Sequence, residues 1–197
     1  MPKDTFNNLS QEKKKRIFEA AVQEFSTRRF SEASINQIIK NAGIPKGSFY
    51  QYFTDKEDLY LYMWEQINNE KHEAAGGIEI DPEADIFEIC VQGMKAAFEW
   101  AMLRPDYSRI GISMWNDNSE FMTGLRAVTI ERARQQIDRD KERGFIKPDV
   151  DSALVVDTIV TLILNEGFFV GLDKESYIKK LSNVIKIIKE GVSMPQD

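Results

Sequence analysis

The sequence predicts an all-α protein: a three-helix head containing a helix-turn-helix, then a helical body of about six helices that pairs with a second copy through its last two. Three observations carry the all-α reading. Apolar residues recur at i, i+3 and i+4 along nearly the whole 197 residues. Helix start and stop signals punctuate those runs. No alternating run is long enough to read as a strand. Apolar residues are 42% and charged residues 29%, ordinary globular values that exclude wholesale disorder.

The elements follow in order. Ser10 caps a first helix whose face reads Ile17, Phe18, Ala21, Val22, Phe25. Ser34-x-x-Gln37 reads as a capping box before Ile35, Ile38, Ile39 and Ala42, and Gly43 closes that helix where positive φ is wanted. A short third segment, KGSFYQYF, follows Pro45. Thr54-x-x-Glu57 reads as a second capping box, opening a helix with Leu59, Tyr60, Met63, Trp64 and Ile67. Ala75-Gly76-Gly77 breaks it, and Asp81-Pro82 starts a fifth helix carrying Ile86, Phe87, Cys90, Met94 and Phe98. Arg104-Pro105 begins a short helix to about Trp115. Asn116–Ser119 is a turn, and a long helix runs on to Arg143 and stops at Gly144. Asp149 or Asp151 caps the next helix, and the last covers about 174–192.

Two late segments carry more apolar surface than one subunit covers. ALVVDTIVTLILNEGFFVGL, residues 153–172, is apolar nearly all round. It has the length of a membrane span, yet Asp157, Asn165 and Glu166 sit inside it and each is costly in lipid. A helix apolar on every side of a water-soluble protein is buried on every side. The final helix carries one apolar stripe among lysines. The two helices are therefore expected to meet an identical pair as a two-fold four-helix bundle, through Ile159, Ile163, Phe168, Ile178, Leu181, Ile185 and Ile188.

Charge is divided. Residues 1–56 hold 10 Lys and Arg against 6 Asp and Glu, whereas 57–197 hold 16 against 26. A basic head on an acidic body points to a polyanion met by the head alone. Residues 34–53 have the spacing of a helix-turn-helix, whose second helix lies in the major groove. Phe49 and Phe53 share one face and dock the short helix on the core. That leaves Lys46, Gly47, Ser48, Tyr50, Gln51 and Tyr52 around the outer and flanking arcs. Lys46 can reach a guanine edge or a phosphate, Gln51 can pair with adenine, and Ser48 and the tyrosine hydroxyls suit phosphate oxygens. Gly47 lets backbone come close to DNA. Ser34 and Asn36 open the preceding helix, where free N–H groups favour phosphate, and Lys56 opens the next. Lys13, Lys14, Lys15 and Arg16 add charge nearby.

From Arg16 to Leu59 the chain resembles the DNA-binding domain of the TetR family of transcriptional repressors. The resemblance rests on IFEAAVQEF, then on Ala42-Gly43, Gly47-Ser48, Tyr50-x-Tyr52-Phe53 and Lys56-x-x-Leu59. It implies a DNA-binding head over 1–56, a ligand-binding and dimerisation body over 57–197, and DNA contacts by the matched residues Lys46, Gly47, Ser48, Tyr50 and Tyr52, with Ser34, Asn36 and Lys56 on phosphate. Pro45 departs from the small residue many members carry there; it stiffens the entry to the recognition helix and removes one donor.

The body offers adaptable apolar walls for a small molecule: Trp64, Phe98, Trp100, Met114, Trp115, Phe121 and Phe169, with Asn165 and Glu166 as polar groups. A neutral or cationic apolar ligand fits an acidic body better than a polyanion. One cysteine, Cys90, and one histidine, His72, exclude a zinc finger, an iron–sulfur cluster and a His-based triad. No nucleophile–base pair, metal cluster or Gly-rich phosphate loop is legible, so neither an enzyme nor a cofactor is expected. MPKDTFNNLS lacks the apolar stretch of a secretory signal, which makes the cytoplasm the expected compartment. The reading is a dimeric repressor released from a palindromic operator by a small apolar molecule; the alternative is a helical adaptor that binds proteins rather than specific DNA.

Overall fold

The computed structural model describes residues 2–74, 81, 83–164 and 173–194. Its described residues form ten helices: α1 Asp4–Asn7, α2 Gln11–Thr27, α3 Ile35–Ala42, α4 Lys46–Tyr52, α5 Lys56–Ala74, α6 Ile86–Leu103, α7 Pro105–Asn116, α8 Glu120–Glu142, α9 Ser152–Leu164 and α10 Lys174–Val192. The fold is all-α, and among the described residues the only β pairing is a single bridge between Ile146 and Ser193. No helix of the described residues is long and apolar enough to cross a membrane. The chain divides into two compact units, Met1–Ile78 with Trp100–Thr123, and Glu79–Glu99 with Gly124–Asp197.

In the first unit α2 is the spine, packing on α3, α5 and α7. Ile17, Ala21, Val22 and Phe25 are buried, and so are Ile38, Ile39 and Ala42 of α3 and Leu59, Tyr60, Met63 and Ile67 of α5. Each such large side chain contributes about 1.5–3 kcal/mol by leaving water. Local chemistry sets the ends. Ser10 Oγ accepts from Lys13 N, and Gly43 closes α3 at φ 63°, its N–H and that of Ile44 bonded back to Lys40 and Ile39.

Three cap expectations are corrected. Ser34 Oγ accepts from Gln37 N, but Gln37 does not reciprocate: its amide donates to Asn41, and Ser34 N donates instead to the buried Glu24 carboxylate at 2.8 Å. The second box lies one residue later than Thr54-x-x-Glu57. Asp58 N donates to Asp55 Oδ1 at 2.8 Å, and Thr54 N donates to Asp58 Oδ2 at 3.0 Å. At the start of α6, Asp81 accepts from Glu83 N and caps only a turn, whereas Asp85 Oδ1 accepts from Phe87 N and Glu88 N, both at 2.9 Å. Pro82 lies outside the described residues. The structure adds α1, a single turn with no apolar period, held by the buried Phe6.

The second unit closes on Ile86, Phe87, Ile137, Ile146, Val155, Val156, Ile159, Leu181 and Ile185. Asp151 is the cap of α9, accepting from Ala153 N and Leu154 N. Gly144 stops α8 at φ 77°, and the chain turns to pair with the end of α10 through Lys147 N to Val192 O at 2.9 Å and Met194 N to Phe145 O at 3.2 Å. Lys189 Nζ reaches Asp85 at 2.5 Å. Cys90 is half-buried, and burial, reinforced by Asp85, pushes its thiol up to about 11, far from a thiolate at neutral pH.

The expected dimer residues divide. Ile159, Leu181 and Ile185 are consumed by the subunit's own core, at 5%, 1% and 4% exposure. Ile178 and Ile188 are half-buried. Among the described side chains, the large apolar residues exposed on these helices are Leu154 and Ile187, at 64% and 69%. Phe168 lies outside the described residues, as does the side chain of Ile163. Residues 165–172 of the long apolar segment lie outside them as well.

Candidate nucleic-acid interface

The helix-turn-helix is built by α3 and α4. Phe49 and Phe53 are fully buried, their rings 5.7 Å apart, and Phe53 meets Phe6 at 4.9 Å. With that face inward, Lys46, Gly47, Tyr50 and Gln51 are exposed and Ser48 is half-buried. The i, i+4 spacing places Lys46 with Tyr50 and Gly47 with Gln51. Ser34 and Asn36 are exposed at the start of α3. A Cβ built on Gly47 would meet nothing within 4 Å, and its φ is not positive. Nothing inside the chain requires a glycine there, so any requirement lies outside it.

Two expected DNA contacts point the other way. Tyr52 is 5% exposed, its ring 6.2 Å from Phe6 and its hydroxyl accepting from Lys13 Nζ at 3.0 Å. It lies at i+3 from Phe49, on the core stripe. Lys56 donates to the carbonyls of Phe30 at 2.6 Å and Ala33 at 3.0 Å. Burial lowers its pKa from the ordinary value, against the pull of Asp117, Glu24 and Glu57. Its ammonium therefore fixes the loop that delivers α3. The lysine run is also partly occupied: Lys13 serves Tyr52, Lys14 Nζ donates to Asn7 O, and Lys15 pairs with Glu19 at 3.8 Å.

The loop before α3 has a third holder, unforeseen from the sequence. Asp117, buried in the turn between α7 and α8, accepts from Ser31 N at 2.7 Å, Ser31 Oγ at 2.9 Å and Ser119 N at 2.8 Å. Burial acts to raise its pKa, but the hydrogen bonds from Ser31 and Ser119 outweigh it and hold the carboxyl down at about 2. Beside it Phe30 lies tilted against Phe121 at 4.6 Å and meets Tyr60 edge-on at 5.5 Å. The sequence signal was Asp117-x-Ser119, an Asx turn; its long-range partner has no local signature.

The body residues expected around a ligand are placed as follows. Met114 is buried, and the space it shares with Phe25, Phe30, Tyr60, Ile110 and Met122 does not admit a water molecule. Interlocked aromatic rings fill it, so there it is core. Trp64 stacks on Tyr60 at 6.4 Å, and Phe121 meets the same ring at 5.8 Å. Trp115 is half-buried. Trp100 leans on Tyr107 at 6.0 Å, and its indole Nε1 is buried with no partner among the described residues. Tyr107 is itself fixed, donating to Glu70 at 2.9 Å under the Arg104 guanidinium, 3.5 Å from its ring. In the second unit Phe98 stacks on Tyr177 at 4.6 Å. Asn165, Glu166 and Phe169 lie outside the described residues. No group of three or more potential metal ligands exists among the described residues.

Residues 17–63, from the middle of α2 into α5, match the family model described as bacterial regulatory proteins, tetR family. The HTH-type transcriptional regulator YdgC of Bacillus subtilis is 23% identical over 162 residues, covering 80% of this chain and 81% of that protein. The match to that family model covers the head, and the likeness to the regulator extends along most of the chain. The chain is also 23% identical over 190 residues to the HTH-type transcriptional repressor AcnR of Corynebacterium glutamicum, with 92% of each covered. Its fold is that of a TetR family transcriptional regulator from Chloroflexus aurantiacus, matched at a TM-score of 0.67 and 24% identity over 99% of this chain and 100% of the other.

Proposed function

We propose that this chain is a TetR-family regulator, a cytoplasmic, homodimeric repressor that reads a palindromic operator through α4 and is released by a small apolar effector held in the body. Residues 1–56 read DNA; residues 57–197 dimerise and hold the effector. The observation that carries the reading is the outer face of the helix-turn-helix: Lys46, Tyr50 and Gln51 exposed around a Gly47 that nothing in the chain requires. Two such helices, one per subunit, span half-sites about 34–36 Å apart. AcnR, similar along almost its whole length, is named a repressor. An apolar molecule bearing a hydrogen-bond acceptor suits the body, because the buried Trp100 N–H has no acceptor among the described residues.

Fluorescence anisotropy with labelled duplexes tiling the DNA around the gene tests this. The full chain selects one tile, with a log–log salt slope of about −0.9 per phosphate neutralised. Lys46→Ala weakens that complex about 10- to 100-fold, the range for a base or close phosphate contact. Gly47→Ala weakens it too, although it stabilises the free helix by up to about 1 kcal/mol. Unaltered binding by both variants would sink the assignment of α4 as the reading helix.

The dimer proposal has its own test. Leu154 and Ile187 are exposed apolar side chains of α9 and α10, and a second copy would cover them. Ile187→Glu shifts the sedimentation coefficient from dimer towards monomer while leaving helicity intact. A variant that sediments as the parent does would move the interface elsewhere.

A further inference from the structure

The recognition helix is short, and it ends without a cap of its own. α4 has seven residues, and its C-cap, Phe53, is extended at φ −128°. No left-handed glycine turns back onto its carbonyls, in contrast to α3, which closes on Gly43. The last four carbonyls of a helix have no partner within it, and a helix this short is marginal alone. Phe49 O accepts from Phe53 N at 2.9 Å. The other three are taken by two residues far off in sequence: Lys3 Nζ donates to Tyr50 O at 2.9 Å, Thr5 Oγ1 donates to Gln51 O, and Lys3 N donates to Tyr52 O at 2.9 Å.

The arm that carries these donors is itself fixed. Phe6 is 2% exposed, 4.9 Å from Phe53 and 4.8 Å from Tyr62. Lys14 Nζ holds Asn7 O at 2.8 Å. The Lys3 ammonium also sits where the helix dipole is negative, which favours a cation.

We propose that Lys3 and Thr5 are positioning residues for DNA recognition: they clamp the C-terminal end of α4, and so fix the backbone from which Tyr50 and Gln51 project. The proposal rests on the reading of α4 as the recognition helix. It differs from a phosphate contact, since both side chains donate to carbonyls of the protein.

The test uses the full chain, the selected duplex, and Thr5→Val, Thr5→Ser and Lys3→Met. Thr5→Val is nearly isosteric and lacks only the hydroxyl. Thr5→Val and Lys3→Met each weaken the complex about tenfold, the worth of one or two hydrogen bonds. Thr5→Ser binds as the parent does, and all three variants keep the parental salt slope. A direct phosphate contact by Lys3 would instead flatten the slope by about 0.9. Hydrogen exchange supplies a readout independent of DNA: the amides of 50–53 lose protection in Thr5→Val and regain it in Thr5→Ser, while the core amides of α2 do not change. Parental affinity in Thr5→Val, a Thr5→Ser variant as weak as Thr5→Val, or a flattened slope in Lys3→Met overturns the proposal. If the parent selects no duplex, the DNA reading falls and the positioning role falls with it; the exchange data then still report whether the arm clamps α4.

Discussion

Asp117→Ala is expected to lower stability by about 3 kcal/mol, because it strands two donors on Ser31 and one on Ser119, each costing about 1–3 kcal/mol when left unmade. At about 2–4 °C per kcal/mol for a chain of this size, the melting temperature falls by roughly 6–12 °C. The sign of the pH dependence follows from the depressed carboxyl. Its folded pKa, about 2, lies below the ordinary carboxylate value, so its stabilisation is complete above the unfolded pKa near 4 and is lost as pH falls through the folded one. Thermal unfolding of the parent and Asp117→Asn should therefore differ by a constant amount from pH 7 down to about pH 4, then converge towards pH 2. A difference that persists unchanged at pH 2 would mean that the charge plays no part.

The same variant should reach DNA binding through the loop it holds. Three groups grip the approach to α3: Glu24 takes Ser34 N, Lys56 takes Phe30 O and Ala33 O, and Asp117 takes Ser31. Only Asp117 belongs to the α7–α8 turn. Loosening it frees the entry to α3 while Lys46 and Gln51 stay as they are. The expected signature is weaker binding to the selected duplex with no change in salt slope, since no phosphate contact is lost.

What the sequence disclosed, and what it hid, follows from the range of each interaction. The caps at Ser10 and Gly43 were legible because donor and acceptor lie within a few residues. Residues 54–58 hold two overlapping capping patterns, Thr54-x-x-Glu57 and Asp55-x-x-Asp58. Thr54 N needs an acceptor as α4 ends, and only Asp58 supplies it. Tyr50 and Tyr52 look alike in sequence, yet the i, i+3, i+4 stripe of Phe49, Tyr52 and Phe53 separates them, one tyrosine outward and one inward. Phe6 stands alone among polar residues and carries no period; its partners Phe53 and Tyr62 lie some fifty residues away. The stripe of α10 was legible as apolar, but periodicity does not say which neighbour covers it. The subunit's own core takes Leu181 and Ile185, leaving Ile187 outside.

Asp140→Ala should be the most damaging single change in the second unit. Asp140 is fully buried near the end of α8. Its Oδ2 accepts from Ile86 N at 2.8 Å, and its Oδ1 from Gln136 at 3.2 Å and Arg143 at 3.4 Å. Asp85 meanwhile accepts from Phe87 N and Glu88 N. The first turn of α6 is thus capped by two carboxylates, one on each side of its entry, where the positive end of the helix dipole favours them. Removing Asp140 strands the Ile86 amide inside the core and leaves Arg143 with Glu83 and the Phe145 ring. Breaking a buried charged contact typically costs about 3–5 kcal/mol, and the retained Glu83 pair places this case near the lower end. Asp140→Asn keeps an oxygen for Ile86 N and should lose less than half as much. Hydrogen exchange locates the damage: the amide of Ile86, which loses its side-chain acceptor, should lose protection before those of α2 and α3. A melting temperature within about 1 °C of the parent for Asp140→Ala would show instead that α6 is held by its apolar face, through Ile86 and Phe87, and that the second carboxylate is dispensable.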